Sequence, residues 1–139
     1  MVYEDLLDKI YMYLRLSLLI SRINLAKAQR IDSFKVMNTK VSFAFLNKLE
    51  ILGIIRGFEI EDDKLLVHMK YVEKRVPFIH IKLICKPSRR SSIGMKRLLR
   101  AVDKYGSSIF IISTGYGFLS HSECITLRCS GEIVARIDL

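Results

Sequence analysis

The stretch Ile109-Phe110-Ile111-Ile112-Ser113-Thr114-Gly115-Tyr116-Gly117 decides how this chain is read. Its four leading residues are large and apolar, which predicts a short strand buried on both faces. Two adjacent hydroxyls, Ser113 and Thr114, follow, and then a turn in which Gly115 and Gly117 flank Tyr116. Glycines at those positions let a partner approach the backbone closely and leave N–H groups pointing outward. A rigid strand is thereby expected to present hydroxyls, amides and one aromatic ring at a single tip. That combination suits a polar, anionic, stackable ligand, although an ordinary strand-to-turn connection would account for the same residues.

Outward from this stretch, charge gives the next constraint. The 139 residues carry a net charge of +9 with a pI near 9.6, and half of them are hydrophobic. The chain has enough apolar surface for a core, and its basic excess calls for an anionic partner. The excess is uneven: residues 1–75 hold 13 Lys and Arg against 10 Asp and Glu, whereas residues 76–139 hold 10 against 4. From Lys82 to Lys104 there are eight basic residues and one acid, Asp103.

The three cysteines, Cys85, Cys124 and Cys129, are odd in number and form no CxxC pair, so free thiols in a reducing compartment are expected rather than a disulfide framework. His121, Cys124 and Cys129 match no familiar zinc spacing, and no metal is expected. Acidic residues at the start and the lack of a small-residue cleavage site argue against a secretory signal. The apolar run Leu14–Ile20 is bracketed by Arg15 and Arg22 and is too short to span a bilayer, so no membrane partner is expected.

Along the chain, residues 3–24 predict a helix whose core face carries Leu6, Leu7, Ile10, Leu14 and Leu18. Residues 30–36 read as a half-exposed strand. Asn38 or Thr39 caps a helix carrying Val41, Ala44, Phe45, Leu49 and Leu52, which Gly53 terminates. Ile54–Ile60 and Leu65–Tyr71 read as a hairpin turning at Glu61-Asp62-Asp63-Lys64, with His68 on its solvent side. Lys74-Arg75 and Pro77 mark a boundary between lobes. Beyond it come a strand over 78–84 with His80 facing solvent, and the basic loop Lys86-Pro87-Ser88-Arg89-Arg90-Ser91-Ser92. A helix follows with Met95, Leu98, Leu99 and Val102 inward and Lys96, Arg97, Arg100 and Lys104 outward, ending at Gly106. Ser120-His121-Ser122-Glu123 has the form of a capping box, and Ile133, Ala135, Ile137 and Leu139 alternate as a last strand.

Basic residues to meet phosphates, hydroxyls and amides to meet 2′-OH groups and base edges, and a ring to stack are what structured RNA asks of a protein. Enzyme signatures are missing. Ser113 lies in no GxSxG elbow, Gly115-Tyr116-Gly117 lacks the third glycine and the strand–helix order of a dinucleotide site, and the carboxylates are scattered. No catalytic residue, cofactor or small-molecule substrate is expected.

Over nearly its whole length the chain resembles bacterial-type small-subunit ribosomal protein eight. The resemblance rests on Asp5-Leu6-Leu7 with Ile10, on Thr39-Lys40 with the following helix and Gly53, on Lys70-Tyr71 followed by Cys85-Lys86-Pro87-Ser88-Arg89-Arg90, and on Ile112-Ser113-Thr114-Gly115-Tyr116-Gly117 with Leu119-Ser120, Glu123 and Gly131-Glu132. It implies an α+β fold of two small α/β lobes, here 1–74 and 75–139, the second built on an antiparallel sheet with a presented Ser-Thr-Gly loop. It also implies a structural role without enzymatic activity: binding an irregular stem in the central domain of small-subunit rRNA, beside neighbouring ribosomal proteins. RNA contacts would fall on Lys86, Pro87, Ser88, Arg89, Arg90, Ser113, Thr114, Gly115, Tyr116, Gly117 and Glu132, with secondary contacts at Lys40, Lys96, Arg97 and Arg100. A free-standing RNA chaperone or regulator is the alternative.

The sequence departs from the family pattern at several of these points. Gly115 and Tyr116 replace a serine and a lysine, Ser92 replaces a tyrosine, Ser130 replaces a glycine, and Asp8 and Met12 replace Thr and Asn. Such drift, with abundant Ile and Leu, suggests an organellar member in the mitochondrial matrix, with a plastid or the bacterial cytoplasm as alternatives.

Overall fold

The structure is a computed structural model that describes residues 2–84, 92–93 and 95–139; the side chains of 2–6, 92, 93, 95, 101 and 105 are outside this description. In chain order the elements are α1 (Val2–Gln29), β1 (Ser33–Met37), α2 (Lys40–Ile51), β2 (Ile55–Glu61), β3 (Lys64–Met69), β4 (His80–Leu83), β5 (Ser92–Ile93), α3 (Met95–Tyr105), β6 (Ile109–Thr114), β7 (Gly117–Ser120), α4 (His121–Leu127) and β8 (Gly131–Asp138). The fold is α+β. One antiparallel sheet is ordered β1-β3-β2, and the other is ordered β4-β8-β6-β7, with β5 paired to β8 beside β4.

Local signals set most boundaries. Thr39 accepts a hydrogen bond from the Ser42 amide to cap α2, and Gly53 leaves that helix at φ +78. The β2–β3 turn places Asp62 at φ 56, the left-handed conformation that Asp tolerates. Ser120 and Glu123 form the reciprocal capping box of α4. The largest differences from the sequence reading are at the end of α1 and after the β6 turn. Helix α1 continues past residue 24 to Gln29, because Ala26, Ala28 and Gln29 are good helix formers and Ala26 is buried. It stops where Arg30 turns left-handed and the Ile31 amide reaches back to the Ala26 carbonyl at 2.9 Å. Strand β7 was not foreseen at all: Phe118 and Leu119 pair back onto Ser113 and Ile112.

The core face of α1 also differs from expectation. Leu16, Leu19, Ile20, Ile23 and Ala26 are buried, whereas Leu7, Leu14 and Leu18 are at least 50% exposed. Leu99 of α3 is likewise exposed, leaving Leu98 and Val102 to pack inward. His68 is half-buried, with Nε2 3.4 Å from the Glu59 carboxylate but without hydrogen-bond geometry, whereas His80 is exposed as expected.

Strand β6 is buried on both faces. Ile111 joins the large core formed by α1, α2 and both sheets, while Ile112 joins a smaller cluster with Leu98, Leu119 and Cys124. Alternation sends Ile111 and Ile112 to opposite faces, and a bulge on β8 answers them: Ile111 pairs with Ala135 and Ile112 with Ile133, leaving Val134 as the extra residue, so that Val134 and Ala135 both join the large core. The large core takes residues from both halves of the chain, including Phe45, Leu65 and Val67 with Ile81, Ala135 and Ile137. Asn24 adds a polar link, accepting from the Ile81 amide and donating to its carbonyl. Lys48, on α2 and buried, donates to Glu123 at the start of α4. That ammonium holds the Glu123 carboxyl below its ordinary range, against the opposing effect of burial.

His121 supplies a pH dependence. The Phe110 amide donates to its Nδ1 at 3.1 Å, and burial lowers its pKa from the usual 6.5. A lowered pKa means the unfolded chain takes up the proton more readily, so this contribution is complete above about pH 6.5 and is lost as the pH falls below it. Urea unfolding at pH 7.5 and 5.5 should therefore show lower stability at the acid value. His121→Asn, which keeps an acceptor but cannot titrate, should flatten the difference, and an undiminished slope would contradict this assignment.

Gly131 yields a second expectation. A Cβ there would run into the Ser113 carbonyl oxygen and lie 2.9 Å from Thr114 Cγ2 and 3.0 Å from Ile112 Cγ2. Gly131→Ala should cost about 1–3 kcal/mol in a thermal or urea melt, whereas Gly115→Ala, with open space around it, should be tolerated.

Candidate nucleic-acid interface

One end of the five-stranded sheet gathers Ser113, Thr114, Gly115, Tyr116, Gly117 and Glu132 of the expected contact residues. Ser113 pairs with Glu132 across β6–β8, Glu132 pairs with Ser92 across β8–β5, and Ser113 pairs with Phe118 on its other side. The row Ser92, Glu132, Ser113, Phe118 therefore crosses four strands beside the β6–β7 turn. Lys86, Pro87, Ser88, Arg89 and Arg90 lie outside the described residues. The chain re-enters the sheet at Ser92 directly opposite Glu132, six residues or fewer from each of them.

The tip itself is a tight hairpin. Thr114 pairs with Gly117, and Gly115 and Tyr116 make the turn between them. Gly117 takes φ +97, a conformation that disfavours any side chain, whereas Gly115 stands outside the left-handed region. Thr114 Oγ1 accepts from the Tyr116 amide and donates to the Gly117 carbonyl, both at 3.0 Å. Its proton is thus used to close the turn, and what it offers outward is acceptor capacity. Ser113 and Thr114, as neighbours on a strand, project to opposite faces, so the two hydroxyls do not form one adjacent pair. Tyr116 is 77% exposed.

Around the tip, Lys9 of α1 forms an ion pair with Glu132 at 2.6 Å. Lys96, Arg97 and Arg100 are exposed on α3, whose Leu98 anchors it to the smaller cluster. Lys40 is exposed too, but it opens α2 in the first half of the chain. At the opposite end of β8, burial works to raise Asp138, but hydrogen bonds from Ser108 at 2.7 Å and Arg136 at 2.9 Å outweigh it and hold the carboxyl low.

Among the described residues the site shows no cysteine with a nucleophile's environment. Burial pushes the Cys124 thiol up to about 12, so it stays protonated at neutral pH. Among the described residues no three His, Cys, Asp or Glu side chains converge to hold a metal ion, and no helix is long and apolar enough to cross a membrane. What the described sheet end can do is make hydrogen bonds and stack one ring, with Lys9, paired to Glu132, as the cation shown beside it. Sequence reasoning missed Lys9 and the strand β7; Lys9 looked like one solvated charge on a helix, and only the fold shows it beside Glu132.

Comparison with known proteins identifies the family. The family described as Ribosomal protein S8 matches residues 15–137. A small ribosomal subunit protein uS8m of Acanthamoeba castellanii is 33% identical over 104 residues, covering 74% of this chain and 82% of the relative. Small ribosomal subunit proteins uS8 of Rhizorhabdus wittichii and Mycoplasmoides gallisepticum are 32% and 31% identical, each over 86% of this chain and 92% and 93% of the relative. These matches carry a structural rather than an enzymatic role. An α+β fold with two antiparallel sheets and a match across 15–137 make this chain a member of the ribosomal protein S8 family, a small-subunit ribosomal protein.

Proposed function

We propose that this protein binds an irregular stem in the central domain of small-subunit rRNA through residues 75–139, and supports assembly of the subunit there. The observation that carries the proposal is the register that aligns Ser92, Glu132 and Ser113, because it tethers the exit of the basic loop at the same sheet end as the hairpin tip. In this reading Lys86, Arg89 and Arg90, with Pro87 and Ser88 shaping the loop, meet phosphates. Ser113 donates to a 2′-OH or base edge, Thr114 accepts, and Tyr116 stacks on an unpaired base. Gly115 and Gly117 let the RNA approach the turn, and Glu132 orients Lys9 and the loop. Lys96, Arg97 and Arg100 add a secondary phosphate-facing surface, and Lys40 a further one on the first half. Resemblance to the Acanthamoeba uS8m supports a place in the mitoribosome, in the mitochondrial matrix.

Co-sedimentation tests the assignment. The protein should travel with small subunits through high salt, and its release as a free protein would favour an RNA chaperone acting outside the ribosome. Binding to the isolated stem should weaken with salt at a log–log slope of about −3 to −5, as expected for roughly four to six phosphate contacts. A slope near zero would assign the basic face to solvent alone.

The tip gives a sharper test. Ser113→Ala should cost about 0.5–1.5 kcal/mol on the cognate stem and less on a scrambled duplex. Gly115→Ser should gain a comparable amount. Position 115 is sterically open and its φ lies outside the left-handed region, so a serine hydroxyl fits in the turn beside Ser113. Fluorescence anisotropy at two salt concentrations reads both variants. Equal effects on the two RNAs would mean that the tip positions backbone without reading the stem.

A further inference from the structure

Helix α1 has two apolar faces, and the fold uses only one. Leu16, Leu19, Ile20, Ile23 and Ala26 face the core. On the opposite side Leu7, Leu14 and Ser21 recur every seven residues, interleaved with Tyr11, Leu18 and Leu25, also every seven. The five apolar members of that series are 44–61% exposed, and Ser21 is exposed as well. Alternating spacings of four and three are the a/d seam of a coiled coil. Counting Tyr11, Leu18 and Leu25 as a positions puts Leu7, Leu14 and Ser21 at d, and Asp8, Arg15 and Arg22 at e, the margin that meets a partner helix's charges. The opposite margin, Ile10, Ser17 and Asn24, is uncharged.

The seam continues sideways into a groove. Between α1 and β1 lies a cavity of about 140 Å³ lined by Arg15, Leu18, Leu19, Arg22, Lys35, Val36, Met37 and Ser42. Among the described residues that line it are the apolar Leu18, Leu19, Val36 and Met37, the last 58% exposed, and three cations but no carboxylate. Arg15 and Arg22 are held in place by the Tyr11 and Phe34 rings, at 5.2 and 5.8 Å. Lys35 reaches Glu61 at 3.1 Å, a pair about half exposed on both sides and therefore weak.

We propose that this seam and groove dock one amphipathic helix of another protein, with leucine-like residues filling the seam and Asp or Glu side chains opposite Arg15, Arg22 and Lys35. Charge complementarity selects the occupant. RNA would find cations here but would leave a row of leucines against water. A bilayer would need a broad apolar face, whereas this stripe holds two positions per heptad, the width of one helix. A second copy in parallel pairing finds no acid among Ile10, Ser17 and Asn24 to answer Arg15 and Arg22, and in antiparallel pairing it offers Asp8 alone. This surface is independent of the rRNA reading above.

The test uses the full chain and two synthetic helical peptides with leucine at every a and d position, one carrying Glu and the other Lys at e and g. The Glu peptide should bind roughly tenfold more tightly than the Lys peptide at low salt, and the preference should shrink in about 1 M salt. Leu14→Glu with Leu18→Glu should abolish binding while leaving the melting temperature and stem-RNA affinity unchanged, since both leucines are exposed. Arg15→Glu with Arg22→Glu should reverse the preference between the peptides. Equal affinity for the two peptides would overturn the proposal. So would a homodimer dissolved by the leucine substitutions, tight binding to anionic vesicles through the same leucines, or protection of the seam by the RNA stem alone.

Discussion

The pairing of β6 with β8 is the constraint from which the second half of this molecule follows. Both strands have to feed two hydrophobic clusters at once; alternation sends consecutive residues to the two faces, and the bulge at Val134 keeps Val134 and Ala135 together in the larger one. An apolar strand buried on both faces cannot slip by one residue without sending Ile111 and Ile112 to the wrong clusters. The register is therefore fixed along its whole length, out to Ser113 against Glu132. Gly131 then brings β8 close to the Ser113–Thr114 backbone, where any larger residue would push the strands apart. A rigid sheet end is an inherited property of the core rather than of the turn.

That rigidity changes how the hydroxyls at the tip are understood. On paper Ser113 and Thr114 look like one polar pair. Strand alternation separates them, and the turn then takes the Thr114 proton for Gly117. The next position that could add a hydroxyl is 115, in the turn itself, and this chain has glycine there. The loss of a side-chain donor at 115 coincides with Tyr116, whose ring stands almost fully in water. A large apolar ring at a hairpin tip gains nothing from the fold. Its chemistry suits a base face, and in the proposed RNA reading the tip would rely on stacking where a serine and a lysine would offer a hydrogen bond and a charge.

How much could be read beforehand depended on whether a signal was local. The Thr39 cap, Gly53, the Asp62 turn, Gly106 and the Ser120–Glu123 capping box act within a few residues, and each was visible in the sequence. The buried strand 109–112 was also visible, because four consecutive large apolar residues leave little choice. Strand β7 was hidden because Phe118-Leu119 is too short to show alternation and runs straight into the cap of α4. Lys48 sits within an amphipathic pattern as an ordinary solvated lysine. Only the approach of α4 from the other half of the chain makes it a buried cation that must be paired.

The failure at α1 is the most informative, because there the sequence held two answers. Residues 14–20, Leu-Arg-Leu-Ser-Leu-Leu-Ile, are apolar on more than one face, so helical periodicity alone could place either the 7–14–18 series or the 16–20–23 series against the core. Packing chose the second: the groove between the sheets accepts Leu16, Ile20 and Ile23 beside Phe34, Phe45 and Ile81. The rejected series keeps its hydrophobic character without a fold-level reason for it. Exposed leucines are unremarkable singly, but five apolar residues in heptad register along one helix, edged by two guanidiniums, make a continuous surface. Selection for solubility works against such a surface, and a protein that lives inside a large assembly escapes that pressure only where something covers it. On the proposals made above, the less basic first half of this chain has a part of its own: its α1 seam would take a polypeptide, while most of the nucleic-acid contacts would fall to the more basic second half.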